Sequence, residues 1–290
     1  MSAGTAPALV LAAVSTTLTN LAYLREHDAA ADLPVLCMRR PLHSLHLLLA
    51  DRSWMLGFAM ETGGFLLYAA ALALGPLALV QSIAAGGIGV LAFVSARMAG
   101  RRLRGRELSG VIVSVVGLAA LAASLAGDSG KGGVGSTPDI ALWLGATGAV
   151  ALAVLSLGRG LVGTAVANGV AGGLFFSIGD VSTKVATQGG ARFGFAVTLI
   201  IGYTLGTALL QIGYQAGGAL TVAGIATLLT NALPIAAGTI VLDEPVPSGA
   251  LGALRVLAFA AVSIGAFLLA RPADPATRGR AQRSTRPAEA

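Results

Sequence analysis

The sequence predicts an all-α, polytopic membrane bundle of about nine transmembrane helices arranged as two inverted repeats. Three observations carry that expectation: a scarcity of charge, a succession of apolar stretches each long enough to cross a bilayer, and an internal repeat. Of 290 residues, 55% are hydrophobic and 11% are charged. A soluble domain carries roughly 25% charged residues, so this chain lacks the charge to cover a water-facing surface. Most of its 40 glycines lie inside apolar runs, where small residues let helix backbones approach in lipid. The net charge of +6 does not mark a nucleic-acid binder, because the basic residues sort by membrane side. No nucleic-acid partner is expected. The single Cys37 excludes an intramolecular disulfide framework.

About 20 mainly apolar residues span a hydrocarbon core of roughly 30 Å. Nine stretches meet this measure, at Pro7 to Leu24, Trp54 to Leu74, Pro76 to Ala96, Leu108 to Ala126, Ile140 to Leu157, Leu161 to Val185, Phe193 to Gly213, Gly218 to Val241 and Gly249 to Ala270. The first lacks a basic flank and leads into further spans, so it reads as a retained helix and not a cleaved leader. Gly75-Pro76 makes a hairpin with proline at a helix start, and Ser248 after Pro245 and Pro247 is the expected N-cap of the last span. Residues 1–126 then form an N-terminal repeat of four spans plus a segment at 33–50. Residues 127–138 form a flexible polar loop, 139–270 a C-terminal repeat of five spans, and 271–290 a disordered basic cytoplasmic tail. Lys131 in that loop is followed by Gly132 in place of Ser or Thr, so no phosphate loop is read there.

The segment Leu33 to Ala50 carries Arg39 and Arg40. As a tenth crossing it would bury both at about 3 kcal/mol each even on a lenient scale. It is expected to lie at the interface, with Leu42, Leu45 and Leu49 toward lipid and the arginines toward anionic headgroups. With the N-terminus outside, fifteen arginines fall on the cytoplasmic side and only Lys131 and Arg192 outside. The positive-inside rule therefore predicts a multi-pass protein of the cytoplasmic membrane with its N-terminus outside and its C-terminus in the cytoplasm.

An offset of 142 residues superposes GPLALVQSIAAGG from Gly75 on GGALTVAGIATLL from Gly217. In a nine-span topology the two segments enter from opposite faces. Inverted repeats of this kind characterise secondary transporters, with substrate sites near the midplane between the repeats.

Ionisable groups inside spans are the first functional candidates. They are Glu61, Asp180, Lys184 and Arg255. Depth, at about 1.5 Å per residue, pairs Asp180 with Arg255 near the outer boundary, and Lys184 follows Asp180 by one turn. These three are expected to form an outer charge cluster, with Asp180 open to a substrate or cation as the competing role. Glu61 lies deeper with no cation at its level, so it is the group suited to exchanging a proton or binding a cation. Thr16, Thr17, Thr207 and Thr227 share its tier. Thr227, Thr230 and Asn231 on the eighth span could orient a solute, although threonines commonly bond their own backbone and asparagine also joins helices. The Gly169/Gly173 and Gly202/Gly206 pairs read as packing faces. The first span carries no acid in this reading. His43 and His46 lack the further ligands a metal site needs, so the metal assignment stays open. No nucleophile–base set or nucleotide fingerprint occurs, so neither enzymatic activity nor a cofactor is expected.

Three stretches, Trp54 to Gly110, GDVSTK at Gly179 to Lys184 and LDEPVPSG at Leu242 to Gly249, make the chain resemble the drug/metabolite transporter superfamily (EamA-like), in particular its NIPA-like branch. The resemblance implies a bundle of nine or ten helices in inverted repeats that moves small solutes. The branch implies magnesium or another divalent cation, and an acid at the position of Glu61. A proton- or ion-coupled transporter of a metabolite or drug-like solute is therefore the leading expectation. Behind it stand a divalent-cation transporter and a non-transporting scaffold or lipid-flippase accessory. Membrane lipids and a small solute or ion are the expected partners, and a homodimer is left open.

Overall fold

The computed structural model describes residues 5–74, 83–84, 86–98, 100, 102–103, 105–124, 135–186, 188–243 and 249–269. Among them every regular element is helical: α1 (Thr5–Asp32), α2 (Pro41–Ala50), α3 (Arg52–Leu74), α4 (Gly87–Met98), α5 (Gly105–Ser124), α6 (Thr137–Leu161), α7 (Thr164–Ala186), α8 (Ala196–Ala216), α9 (Ala219–Val241) and α10 (Ala250–Leu269). Six helical segments of the described chain are long and apolar enough to cross a membrane: Pro7–Asp32, Thr137–Leu161, Thr164–Ala186, Gly190–Ala216, Ala219–Val241 and Ala250–Leu269. The Gly75-Pro76 hairpin, the Ser248 cap, most of the 127–138 loop and the 271–290 tail lie outside the described residues.

Two helix boundaries differ from the expected ones in ways that matter. α1 does not stop at Leu24 but runs to Asp32. The stretch REHDAAAD contains neither glycine nor proline, and its alanines, arginine and glutamate favour the helix, so nothing ends it before Pro34. α6 continues past Leu157 through a π-helical turn at Val154–Gly158 and ends before Gly163, whose φ of +89° suits glycine. The polar loop ahead of α6 ends at Ser136, which caps the helix by accepting from the Asp139 amide at 3.2 Å. α2 has only 10 residues, about 15 Å of helix, too short to cross. It docks through buried Leu48 and exposes Leu42, Leu45 and Leu49 together with Arg39 and Arg40.

The packing is glycine-mediated. α1 lies along α3, α5 along α10, and α7 between α8 and α9. A Cβ at Gly202 would fall 2.7 Å from the Gly179 amide nitrogen and 2.8 Å from the Phe175 carbonyl oxygen, and one at Gly173 would fall 2.9 Å from Ala226 Cα. Both glycine pairs singled out in the sequence thus sit where helix backbones touch. α7 is consequently the most enclosed of the long apolar helices.

Candidate functional site: an acid pair between α1, α3 and α8

Close contact between α1 and α3 creates the site. A Cβ at Gly57 would lie 2.7 Å from Glu26 Cγ, so only a glycine there leaves room for the Glu26 side chain. Two turns further along, Ser15 Oγ donates to the Gly64 carbonyl at 2.6 Å. Glu61, one turn after Gly57, is therefore held against α1 at Tyr23 and Glu26. The carboxyls of Glu26 and Glu61 lie close enough to act on each other, and the Tyr23 hydroxyl close enough to act on Glu61. α8 closes the site. Gln211 Nε2 donates to Glu26 Oε2 at 2.8 Å. Tyr214 lies close enough for the charges of Glu26 and Glu61 to act on its hydroxyl. The Tyr214 ring meets the His27 ring edge-on, with centroids 5.6 Å apart. His27 is fixed in turn by Gly217 O at 3.1 Å and Asp28 Oδ1 at 2.9 Å. Gln215, one turn beyond Gln211, anchors the connection to α2 by accepting from the Leu36 amide and donating to Ala30 O.

Glu26 and Gln211 are each 1% exposed and Tyr214 2%. Glu26 Oε1, Gln211 Oε1 and the Tyr214 hydroxyl have no partner among the described residues. Gln211 spends its amide nitrogen on Glu26, which leaves its oxygen as a bare acceptor. Each buried polar atom left unsatisfied costs about 1–3 kcal/mol. Two bare oxygen acceptors, Glu26 Oε1 and Gln211 Oε1, thus stand in the same buried region as a tyrosine hydroxyl, and the acceptors suit a proton or a cation. One proton bonded between two carboxyls relieves their mutual repulsion, and a bound cation would draw on the remaining oxygens.

Glu61 is at the centre, with tyrosines, a glutamine and a second acid around it where a tier of threonines was expected. Asp180 accepts from the Tyr203 hydroxyl at 2.6 Å and is near enough to Tyr23 for its charge to act there. Gly179 makes this contact feasible, since a Cβ there would meet the Tyr203 ring at 3.1 Å. Arg255, matched with Asp180 by depth, is buried and donates to Ser124 Oγ, Ser124 O and Thr239 Oγ1, each at 3.3 Å. It borders a cavity of about 240 Å³ with Thr239 and Phe259. Lys184 is exposed near the end of α7. Asn231 donates to the Thr227 carbonyl of its own helix at 2.7 Å, a local bond one turn before Pro234. No group of three or more His, Cys, Asp or Glu among the described residues could hold a metal ion.

Glu26 corrects the expectation that the first membrane helix carries no acid. The signal was present: Ala22, Glu26, Ala29 and Ala30 fall on one stripe of an uninterrupted helix, and all four are buried. Tyr23, Tyr203, Gln211 and Tyr214 were likewise missed, because their roles depend on which helices meet. Comparison with known proteins finds no matching family model, no matching curated protein and no matching solved structure.

Proposed function

We propose that the protein is a secondary transporter of a small solute across the cytoplasmic membrane, coupled to protons or a cation through the Glu26–Glu61 pair. The observation that carries the reading is the pair itself. Two carboxyls that act on each other within a helical bundle, with unsatisfied oxygens on Glu26 and Gln211, are expensive unless they bind and release something. The resemblance to the drug/metabolite transporter superfamily and the apolar helices support the same conclusion. The proposed topology has nine crossings, the N-terminus outside, the C-terminus in the cytoplasm and α2 on the inner surface. A divalent-cation transporter is the second reading, favoured by the same carboxyl pair. It ranks lower because a hydrated divalent ion calls for more oxygen ligands than two carboxylates supply.

Everted vesicles assayed with a panel of metabolites, drug-like cations and divalent ions, with and without an imposed proton gradient, test the proposal. At least one organic solute is expected to accumulate only with the gradient. Accumulation of Mg²⁺ alone would establish the second reading, and no gradient-dependent flux of any member would contradict both.

A further inference from the structure

The α1–α3 contact and the α7–α8 contact share one residue register. α3 maps onto α8 at an offset of 142 residues, the offset of the sequence repeat, and α1 maps onto α7 at 157. Gly64 lies against Ser15 and Thr19, and at those offsets Gly206 lies against Gly172 and Phe176. Ala71 clusters with Ala12, with Leu11 packed against the two, and Gly213 packs with Asn168. In the neighbouring helices Gly87 touches Thr16 and Leu229 touches Gly173, again at 142 and 157. A single glycine contact could coincide by chance. A register held over two turns of α3 and into a third helix is what a duplicated unit would leave. The 15-residue difference between the offsets falls between the first two helices of the first repeat, where the Leu33 to Ala50 segment is inserted.

The polar residues obey the same register. Tyr23 maps to Asp180, Glu26 to Thr183 and Glu61 to Tyr203. Tyr23 reaches Glu61, and Tyr203 donates to Asp180. Glu26 meets Glu61, and Thr183 meets Tyr203. Each repeat thus holds one tyrosine–carboxyl pair, with acid and tyrosine exchanged between the two helices. A buried polar atom without a partner accompanies each pair at equivalent positions, Asn20 Oδ1 one turn before Tyr23 and Ser177 Oγ one turn before Asp180. The charge of Asp180 acts on Tyr23, so the two pairs lie within electrostatic reach of each other.

We infer that Asp180–Tyr203 is a second proton- or monocation-binding half-site, the counterpart of Glu61–Tyr23, and that the two are reached from opposite faces of the membrane. This deepens the transport reading and rests on it for purpose. Inverted repeats place equivalent residues at equal depths from opposite surfaces, so each pair would be reached from its own side as access alternates. The groups near Asp180 are Tyr203 from α8 and Tyr23 from α1, with Lys184 exposed one turn along α7. Those facing Glu61 are Tyr23 and Glu26 from α1 and Tyr214 from α8.

The test uses the wild-type protein in sealed vesicles of both orientations, with pH varied on one side at a time. A lipid-soluble carbodiimide, which adds only to protonated carboxyls, is applied and the modified peptides are quantified by mass spectrometry. Asp180 and Glu61 modification is expected to follow the pH of opposite sides. Tyr203→Phe should shift the Asp180 profile and leave that of Glu61 in place, and Tyr23→Phe should do so most strongly for Glu61. Modification of both acids following one side, or of Asp180 following neither, would overturn the half-site. Failure of the transport reading is a separate outcome, absence of gradient-driven flux in the same vesicles whatever the labelling pattern.

Discussion

Replacing Glu61 by glutamine is expected to abolish gradient-driven accumulation while leaving the protein folded and able to exchange solute across the membrane. The amide keeps the volume of the carboxyl, can donate to Glu26 Oε1, which lacks a donor, and can accept from Tyr23. The α1–α3 contact at Gly57 has no reason to open. What disappears is the ability to take up and release a proton or cation at that point. In proteoliposomes, accumulation should fall roughly tenfold or more, the size of an ordinary coupling free energy, while counterflow of labelled solute stays near wild type. Glu26→Gln should act in the same direction. Undiminished, pH-responsive accumulation in Glu61→Gln would reduce the pair to a packing hydrogen bond.

The largest effect on stability is expected at Gly202. Its Cβ position lies 2.7 Å from one backbone atom of α7 and 2.8 Å from another, and a backbone has no rotamer with which to yield. Gly202→Val must therefore part α7 from α8, at a cost of about 3 kcal/mol, and draw Tyr203 away from Asp180. The fraction of monodisperse protein and its melting temperature in detergent should both drop. Gly145→Ala on α6, where no atom lies within 4 Å of the added carbon, should change neither. Equal behaviour of the two variants would contradict the glycine-mediated packing.

The fold class was legible because it is written in bulk quantities. The spans at Gly218 to Val241 and Gly249 to Ala270 agree with α9 and α10 to within a residue at each end, since glycine or a polar turn marks their limits. The end of α1 was misjudged because hydropathy measures preference for lipid and not helix continuity. Charge at Arg25 and Glu26 ended the apolar run while the helix continued. Glu61 was found because an acid in an apolar stretch stands out by composition alone. Its partners could not be found that way. Gln211 and Tyr214 are unexceptional residues on their own helix and become a site only where α8 crosses α1. The expected Asp180–Arg255 match failed as a guide to contacts for the same reason. Equal depth brings two groups to one level without setting which faces of their helices meet, and Gly179 gives Asp180 a tyrosine.

The central claim is that the Glu26–Glu61 site exchanges a proton or cation when solute binds. It is tested most directly by adding a transported solute to purified protein in weakly buffered detergent solution and counting the protons that appear. The account predicts a stoichiometric, pH-dependent proton exchange in the wild type that vanishes in Glu61→Gln although the solute still binds. For a cation-coupled site, the same exchange should appear as competition between that cation and the proton. Solute binding in the wild type with neither proton exchange nor cation competition at any pH would contradict it.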